Sequence, residues 1–208
     1  CEALEKMGKV DTMAFDKTGT LTYGKLHVSD IIPFGGVSER ELLTLTAAAE
    51  SRSEHPLGKA ITDEALSSGI SLPLVEGFKM EAGKGISAQI GETQYYFGNE
   101  KYIKENGVSA ADDASALLDR LRSEGKASVL ISDGTELTGV IALSDTIRPE
   151  AAEMIRRLKD MNTTSVLLTG DHRKAAEFLA SQVGISELRS DLLPEEKVSK
   201  INVLKQRG

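Results

Sequence analysis

An aspartate followed by a lysine and several small residues is the strongest chemical signal in the sequence. The heptapeptide reads Asp16-Lys17-Thr18-Gly19-Thr20-Leu21-Thr22 and directly follows an apolar run over residues 10–15. Such a run predicts a buried strand that carries Asp16 to a loop at its carboxyl end. A carboxylate there can act as a nucleophile and form an acyl phosphate, with the lysine, the hydroxyls and the loop N–H groups around the phosphoryl oxygens. A lone aspartate would more often be a turn residue.

Two further segments carry polar residues at predicted element boundaries. Thr169-Gly170-Asp171 follows a second apolar run, over residues 165–168, and Lys197 lies in the first turn of a helix predicted to begin at Pro194. Taken alone, the first segment fits a plain turn, and the lysine fits a solvated surface.

The middle of the chain carries a separate set of residues suited to a nucleotide. His55 can stack on adenine or hydrogen-bond to it, and Glu50 can accept a hydrogen bond from the exocyclic amine. Gly83, Gly85 and Gly98 would let a ligand approach the backbone closely. Each feature alone has a simpler explanation, a helix cap for the histidine and turns for the glycines.

The elements predicted near the C-terminus alternate between helix and strand. Residues 149–160, 173–183 and 194–204 are predicted helices, the last with Val198, Ile201 and Leu204 on one face, and a strand lies at 165–168. This alternation, together with the strand before Asp16, indicates a parallel, doubly wound sheet.

The middle of the chain follows a different pattern. Residues 74–102 read as glycine-punctuated strands with a hairpin at Gly91, and Asp133-Gly134 marks a second hairpin. Helices are predicted to begin at the Ser38 capping box and at Pro56. We therefore predict a discontinuous α/β domain, residues 1–24 and 144–208, with an antiparallel α+β domain, residues 25–143, inserted into it.

Composition excludes several classes of protein. The chain has 208 residues, of which 40% are hydrophobic, and its net charge of −7 contains no basic block, so we expect no nucleic-acid partner. Its one cysteine excludes a disulfide framework and a cysteine-rich zinc site. The sequence has neither a signal peptide nor an apolar run of about 18 residues, which predicts a soluble segment.

The heptapeptide at Asp16 resembles the phosphorylation signature of the P-type ATPases, a branch of the haloacid dehalogenase superfamily. The resemblance implies a haloacid-dehalogenase-like, Rossmann-type phosphorylation domain in which ATP phosphorylates Asp16 and Mg²⁺ binds Asp16 and the Thr18 carbonyl. It also assigns three further roles: the Thr169 hydroxyl binds the phosphoryl group, Asp171 after Gly170 supports the site, and the lysine at 197 stabilises the transferring charge. Lys17 belongs to the same catalytic set.

The inserted segment resembles the heavy-metal-transporting branch of these pumps. One motif of that branch resembles the pentapeptide Ser53-Glu54-His55-Pro56-Leu57, with Glu50 five residues before the histidine. Two glycine motifs of the same branch follow in order, one at Gly83 and one at Gly98. The resemblance implies that ATP is bound by the following residues: Glu50, His55, Gly83, Gly85, Ile86, Gly98 and Asn99.

The flanking segments extend the resemblance. Asp145 and Arg148 resemble the return hinge of the inserted domain, and Glu2–Lys6 resembles the stalk of a transmembrane helix. The family pattern continues past Gly208 into further Mg²⁺-binding aspartates. The expectation is an incomplete, weakly active or inactive segment at the cytoplasmic face of a membrane, in a pump whose absent transmembrane domain would bind the transported metal.

Two alternatives stay open on the sequence. The first is a soluble phosphatase of the same superfamily. Such phosphatases usually carry a second aspartate, as general acid and base, where this chain has Thr18, so a long-lived phosphoenzyme is expected instead. The second is a non-catalytic nucleotide-binding module, against which the catalytic set argues.

Overall fold

The computed structural model describes residues 10–108 and 112–205, so the predicted stalk segment Glu2–Lys6 lies outside the described residues. The strands are β1 Thr12–Asp16, β2 Thr22–Pro33, β3 Val75–Glu81, β4 Gly85–Ile90, β5 Thr93–Gly98, β6 Ala127–Ser132, β7 Leu137–Ile147, β8 Thr164–Leu168 and β9 Glu187–Arg189. The helices are α1 Glu39–Glu50, α2 Pro56–Ser67, α3 Glu100–Glu105, α4 Asp112–Ser123, α5 Ala151–Asp160, α6 Arg173–Val183 and α7 Pro194–Lys205. Among these helices, none is both long and apolar enough to cross a bilayer.

The chain divides into two compact units. The first comprises the described residues up to Lys25, the short segment Ser123–Gly125 and the residues from Asp145 onward. The second comprises Leu26–Arg122 and Lys126–Ser144.

The first unit is built on a parallel sheet with the strand order β1-β8-β9. Helices α5 and α6 pack against each other, and α5 also packs on β8 and α6 on β9. Their buried core contains Phe15, Leu21, Ile155, Leu167 and Leu179. The β1–β8 register pairs Asp16 with Leu168, so both strands present their carboxyl ends at one edge of the sheet.

The second unit is built on a six-stranded sheet with the order β2-β7-β6-β5-β4-β3. From β3 through β7, each neighbouring pair in this order is antiparallel. Helices α1 and α2 pack against each other and share a buried core with β4, whereas Ile103 of α3 and Leu118 of α4 belong to a second core cluster.

Local sequence chemistry explains where several helices begin and end. The Ser38 side chain accepts a hydrogen bond from the Glu41 N–H at 3.2 Å, as an N-cap should. His55 caps α2 in the same way, ahead of Pro56 at the first helical position. At the other end of α6, Gly184 adopts φ 83°, the left-handed geometry that closes a helix.

The predicted fold class is confirmed: a parallel α/β sheet and an antiparallel α+β sheet are both present. The hairpins at Gly91 and at Asp133-Gly134 are also confirmed. The long strand β2 and the short strand β9 were not predicted.

Two local expectations were wrong. Tyr102 lies in α3 rather than in a strand, because the Asn99 side chain caps that helix. Strand β1 is only half-buried, since it is an outer strand of the described sheet. On α7, the predicted face that carries Val198 and Ile201 is exposed.

Candidate functional site

The chemical residues of the first unit meet at the carboxyl edge of its sheet. Asp16 is the last residue of β1, and Thr169 directly follows β8, the neighbouring strand. In open parallel sheets, this edge is where ligands bind. The sequence placed both residues at strand ends, and the parallel register brings those ends together.

Asp16 is an accessible carboxylate held by two donors. Its Oδ1 accepts hydrogen bonds from the Lys197 Nζ at 2.7 Å and from the Lys17 backbone N–H at 2.9 Å. The Asp16 side chain is 49% exposed, and that of Lys197 is 28% exposed. A carboxylate that is both accessible and charge-compensated suits a nucleophile that must meet a polyanion.

Lys17 and Asp171 form a second ion pair beside the first. The Lys17 Nζ donates to the Asp171 Oδ2, and both side chains are partly buried. The buried Thr169 hydroxyl accepts the Asp171 N–H at 3.1 Å, which fixes the turn after β8. Gly170 is also closely packed, because a Cβ there would lie 3.2 Å from the Leu192 carbonyl oxygen.

The loop after Asp16 is a single wide turn rather than a regular helix. Over Lys17–Leu21 the backbone departs from helical geometry at Thr18, with φ −70° and ψ 124°, and at Gly19, with φ 77°. A positive φ strains every residue except glycine, so Gly19 has a backbone reason to be there. The Thr22 N–H donates to the Lys17 carbonyl and closes the turn.

Glu50 and His55, the predicted base-binding pair, lie in the second unit. Glu50 ends α1 and is only 8% exposed. Burial raises the pKa of its carboxyl, while a Ser53 hydrogen bond and the nearby His55 act in the opposite direction. The His55 Nδ1 accepts the Leu57 N–H at 3.2 Å, which leaves Nε2 as the ring nitrogen that can meet a ligand.

Gly58 is a residue of this site that sequence reasoning missed. It lies in α2, and a Cβ at that position would lie 2.3 Å from the Glu50 Oε2 and 3.2 Å from the Glu50 Cβ. Gly58 thus provides the space that the Glu50 side chain occupies. A signal existed: an interior helical glycine costs about 1 kcal/mol relative to alanine, which points to close packing.

The glycine motifs form a second cluster around the β4–β5 pair. Gly85 and Gly98 are register partners, and a Cβ on Gly85 would lie 2.2 Å from the Phe97 carbonyl oxygen. Asn99 caps α3 through the Tyr102 N–H at 2.9 Å and donates to the Gly83 carbonyl at 3.0 Å. The absence of side chains at 85 and 98 therefore has a packing reason, independent of any ligand.

Two neighbours of the glycines differ in what they offer a ligand. Ile86 is 4% exposed, belongs to the core and is paired with strands on both sides, so it offers little surface to a ligand. Lys84, which sequence reasoning left out of the binding set, is paired with Glu105 at 2.7 Å and Glu81 at 3.3 Å. The hydrogen bond to Glu105 is the main reason that its pKa is raised.

Comparison with known proteins adds three findings. The family model of haloacid dehalogenase-like hydrolases matches residues 10–208. The chain is 42% identical over 206 residues to the zinc/cadmium/lead-transporting P-type ATPase of Escherichia coli (strain K12), covering 99% of this chain and 27% of that protein. It is 37% identical over 207 residues to the copper-exporting P-type ATPase of Bacillus subtilis (strain 168), covering 100% of this chain and 26% of that protein.

A solved structure agrees with these relatives. The crystal structure of a zinc-transporting PIB-type ATPase in the E2.Pi state superposes with a TM-score of 0.88 at 39% identity, over 99% of this chain and 33% of that one. The chain thus spans about a quarter of the length of the two curated relatives. It belongs to the haloacid dehalogenase-like hydrolase family, and the relatives that it matches along nearly its whole length are heavy-metal P-type ATPases.

Proposed function

We propose that Asp16 takes the γ-phosphoryl group from ATP and forms an aspartyl phosphate, and that a protein carrying this segment uses the cycle to move a heavy-metal cation across a membrane. The observation that carries the proposal is the 2.7 Å contact between the Lys197 Nζ and the Asp16 Oδ1. It places a cation from α7 on the one accessible carboxylate that ends β1.

The transfer follows from ordinary phosphoryl chemistry. An Asp16 carboxylate oxygen forms a bond to the γ-phosphorus while the bond from that phosphorus to the β,γ-bridging oxygen breaks, and ADP leaves with the electron pair. Lys197 and Lys17 offset negative charge on the transferring group. Water later cleaves the acyl phosphate to release inorganic phosphate and restore the carboxylate.

The residues present fit Mg²⁺ as part of an oxygen-ligand set. Mg²⁺ prefers oxygen ligands and is usually held by one or two carboxylates together with phosphates and waters. Asp16 and the Thr18 carbonyl would hold it, and the ion would supply positive charge beside the phosphoryl oxygens. Within residues 10–108 and 112–205, no cluster of three or more acidic, histidine or cysteine side chains forms a complete protein cage.

In the proposed function, the second unit binds the nucleotide. His55 and Glu50 bind the adenine, and Gly83, Gly85, Gly98 and Asn99 shape the neighbouring surface, which Ile86 supports from the core. Three features support this assignment: Glu50 is buried with a raised pKa, the His55 Nε2 is available, and Gly58 provides room for the carboxylate. Residues with shifted pKa values often belong to functional sites.

Labelling with radioactive ATP tests the proposal. This chain, and any longer gene product that contains it, is incubated with Mg²⁺ and ATP labelled at the γ-position. We expect an acid-stable, hydroxylamine-labile label that is absent from Asp16→Asn. ATP labelled at the α-position is the control and should give no label. Absence of label from all wild-type samples, with and without candidate metals, would refute the proposal.

Nucleotide binding is tested separately by calorimetric titration with ATP. We expect His55→Gln to weaken binding by about tenfold, since it removes a ring that can stack on the base. His172→Gln is the matched control, because His172 caps α6 as His55 caps α2 but lies in the first unit. Equal weakening in both variants would contradict the assignment of the base site.

A further inference from the structure

Asp145 binds the segment of chain that follows the Asp16 loop. Its Oδ2 accepts the Thr22 hydroxyl at 2.6 Å and the Gly24 N–H at 3.2 Å, and its Oδ1 accepts the Lys25 N–H at 3.0 Å. Hydrogen bonds to an ionised acceptor are about twice as strong as those between neutral groups. All these residues belong to the first unit, so one carboxylate fixes the turn that follows the catalytic loop.

Arg148, three residues later, holds the same loop from its carbonyl side. Its Nε donates to the Thr22 carbonyl at 3.2 Å and its Nη2 to the Gly19 carbonyl at 3.4 Å. The guanidinium carbon lies 4.6 Å from the centre of the Tyr23 ring, a cation–π contact that helps to hold the side chain in place. The guanidinium presents these two nitrogens on one rigid, planar fork, so a single side chain holds both carbonyls at a fixed spacing.

These contacts determine which way the loop N–H groups point. In a trans peptide, the C=O of one residue and the N–H of the next lie in one plane and point in opposite directions. The Lys17 carbonyl is held by Thr22, and the Gly19 carbonyl is held by Arg148. The N–H groups of Thr18 and Thr20 therefore point away from Thr22 and Arg148.

We propose that Asp145 and Arg148 are positioning residues for phosphoryl transfer. Arg148 holds the Gly19 carbonyl, and Asp145 holds Thr22, whose N–H in turn holds the Lys17 carbonyl, so that the Thr18 and Thr20 N–H groups face the phosphoryl group on Asp16. The inference rests on the proposed function and adds to it. Removing a single preorganised N–H donor from a developing anion costs about 100- to 1,000-fold in rate. An N–H donor that points in the wrong direction should cost part of that loss in rate.

The experiment compares Arg148→Lys and Asp145→Asn with the wild type. Arg148→Lys keeps the positive charge but replaces the rigid two-nitrogen fork with a single nitrogen on a flexible chain. Arg157→Lys is the matched control, because Arg157 pairs with Glu153 on the exposed surface of α5. Beryllium fluoride with Mg²⁺ serves as an inorganic mimic of the phosphoryl group. Its binding is followed by fluorine NMR and by the Thr18 and Thr20 amide resonances, and the rate of labelling from ATP is measured in parallel.

We expect Arg148→Lys and Asp145→Asn to slow labelling by about tenfold or more, with ATP affinity unchanged, because the loop donors act in the transition state. The beryllium-fluoride shifts of the Thr18 and Thr20 amides should shrink in both variants and persist in Arg157→Lys. Circular dichroism identifies a variant that fails to fold, and the other variant then decides the outcome.

The possible outcomes are distinct. Normal labelling and amide shifts in both variants, beside an active wild type, overturn the positioning role and leave the proposed function intact. Equal loss of ATP affinity and labelling rate also overturns the role, since it indicates general damage. A wild type that neither labels nor binds beryllium fluoride refutes the proposed function, and the inference fails with it.

Discussion

Gly85→Ala tests whether the paired glycines serve the fold or the ligand. An added Cβ would lie 2.2 Å from the Phe97 carbonyl oxygen, 2.8 Å from the Gly98 Cα and 2.7 Å from the Tyr102 ring. The first two contacts are with backbone atoms of β5, so relief requires β4 and β5 to separate. Overpacking usually costs about 1–3 kcal/mol, and each weakened ladder hydrogen bond adds about 1 kcal/mol. We therefore expect a loss of about 3 kcal/mol or more.

Gly83→Ala and Gly91→Ala are the matched comparisons. Both glycines have a positive φ, 73° and 63°, and an added Cβ at either would have no neighbour within 4 Å. Each substitution should cost only the strain of the left-handed backbone, about 1–2 kcal/mol. The two therefore separate conformational strain from steric crowding.

Urea unfolding of the chain, followed by circular dichroism and by hydrogen exchange of the β4 and β5 amides, gives the three free-energy differences. ATP titration of each folded variant completes the comparison. Equal destabilisation by Gly85→Ala and Gly83→Ala would refute the packing argument. A Gly85→Ala chain of normal stability that no longer binds ATP would show that the glycine serves the ligand instead.

Three further predictions concern side chains with charge or proton chemistry. Burial raises the pKa of Glu50 and so penalises its ionised form in the folded state. Glu50→Gln removes that penalty and should raise the unfolding free energy near pH 7. The gain should be about 1.4 kcal/mol for each tenfold difference between the ionisation constants of the folded and unfolded states. That gain should vanish as the pH falls below about 4, the range of an unperturbed glutamate, and a pH-independent gain would contradict the cause given. Thr18→Asp would place a general base two residues after Asp16; a chase with unlabelled ATP should show label lost about 100- to 10,000-fold faster, and an unchanged half-life would count against that role. Lys197→Ala should leave stability within about 1 kcal/mol, because its pair with Asp16 is partly exposed, while labelling slows about 100-fold; full-rate labelling would remove the lysine from the mechanism.

The residues that act through side chains could be located from the sequence because each lies at or beside an element boundary. Asp16 ends β1, Thr169 follows β8, and Lys197 lies in the first turn of α7. Apolar runs and proline positions predict such boundaries well. The carboxyl ends of neighbouring parallel strands then meet at one edge of the sheet. The contact between Lys197 and Asp16, two residues far apart in the chain, lies at that edge.

The elements that sequence reasoning missed have different causes. Strand β2 does alternate apolar and polar residues over residues 26–29, a strand signal that was passed over, whereas β9 has only 3 residues and so carries no pattern. Tyr102 stood at the end of the segment predicted as glycine-punctuated strands, yet the capping bond from its N–H to the Asn99 side chain begins a helix there. At Tyr102 a capping contact outweighed the local pattern.

Residues that act on the backbone were hardest to recognise, and the reason is physical. Arg148 binds the Gly19 and Thr22 carbonyls, groups that every residue possesses, so nothing in the side chains of the loop indicates its partner. Gly58 acts by lacking atoms: its effect on Glu50 is visible only as the 2.3 Å distance that a Cβ would have from the carboxylate. Arg148 determines where a loop N–H donor lies and Gly58 determines where the Glu50 carboxylate lies, and neither residue has a proposed contact with a substrate. Substituting either residue should therefore change the labelling rate or the affinity for ATP, while the reaction itself stays the same.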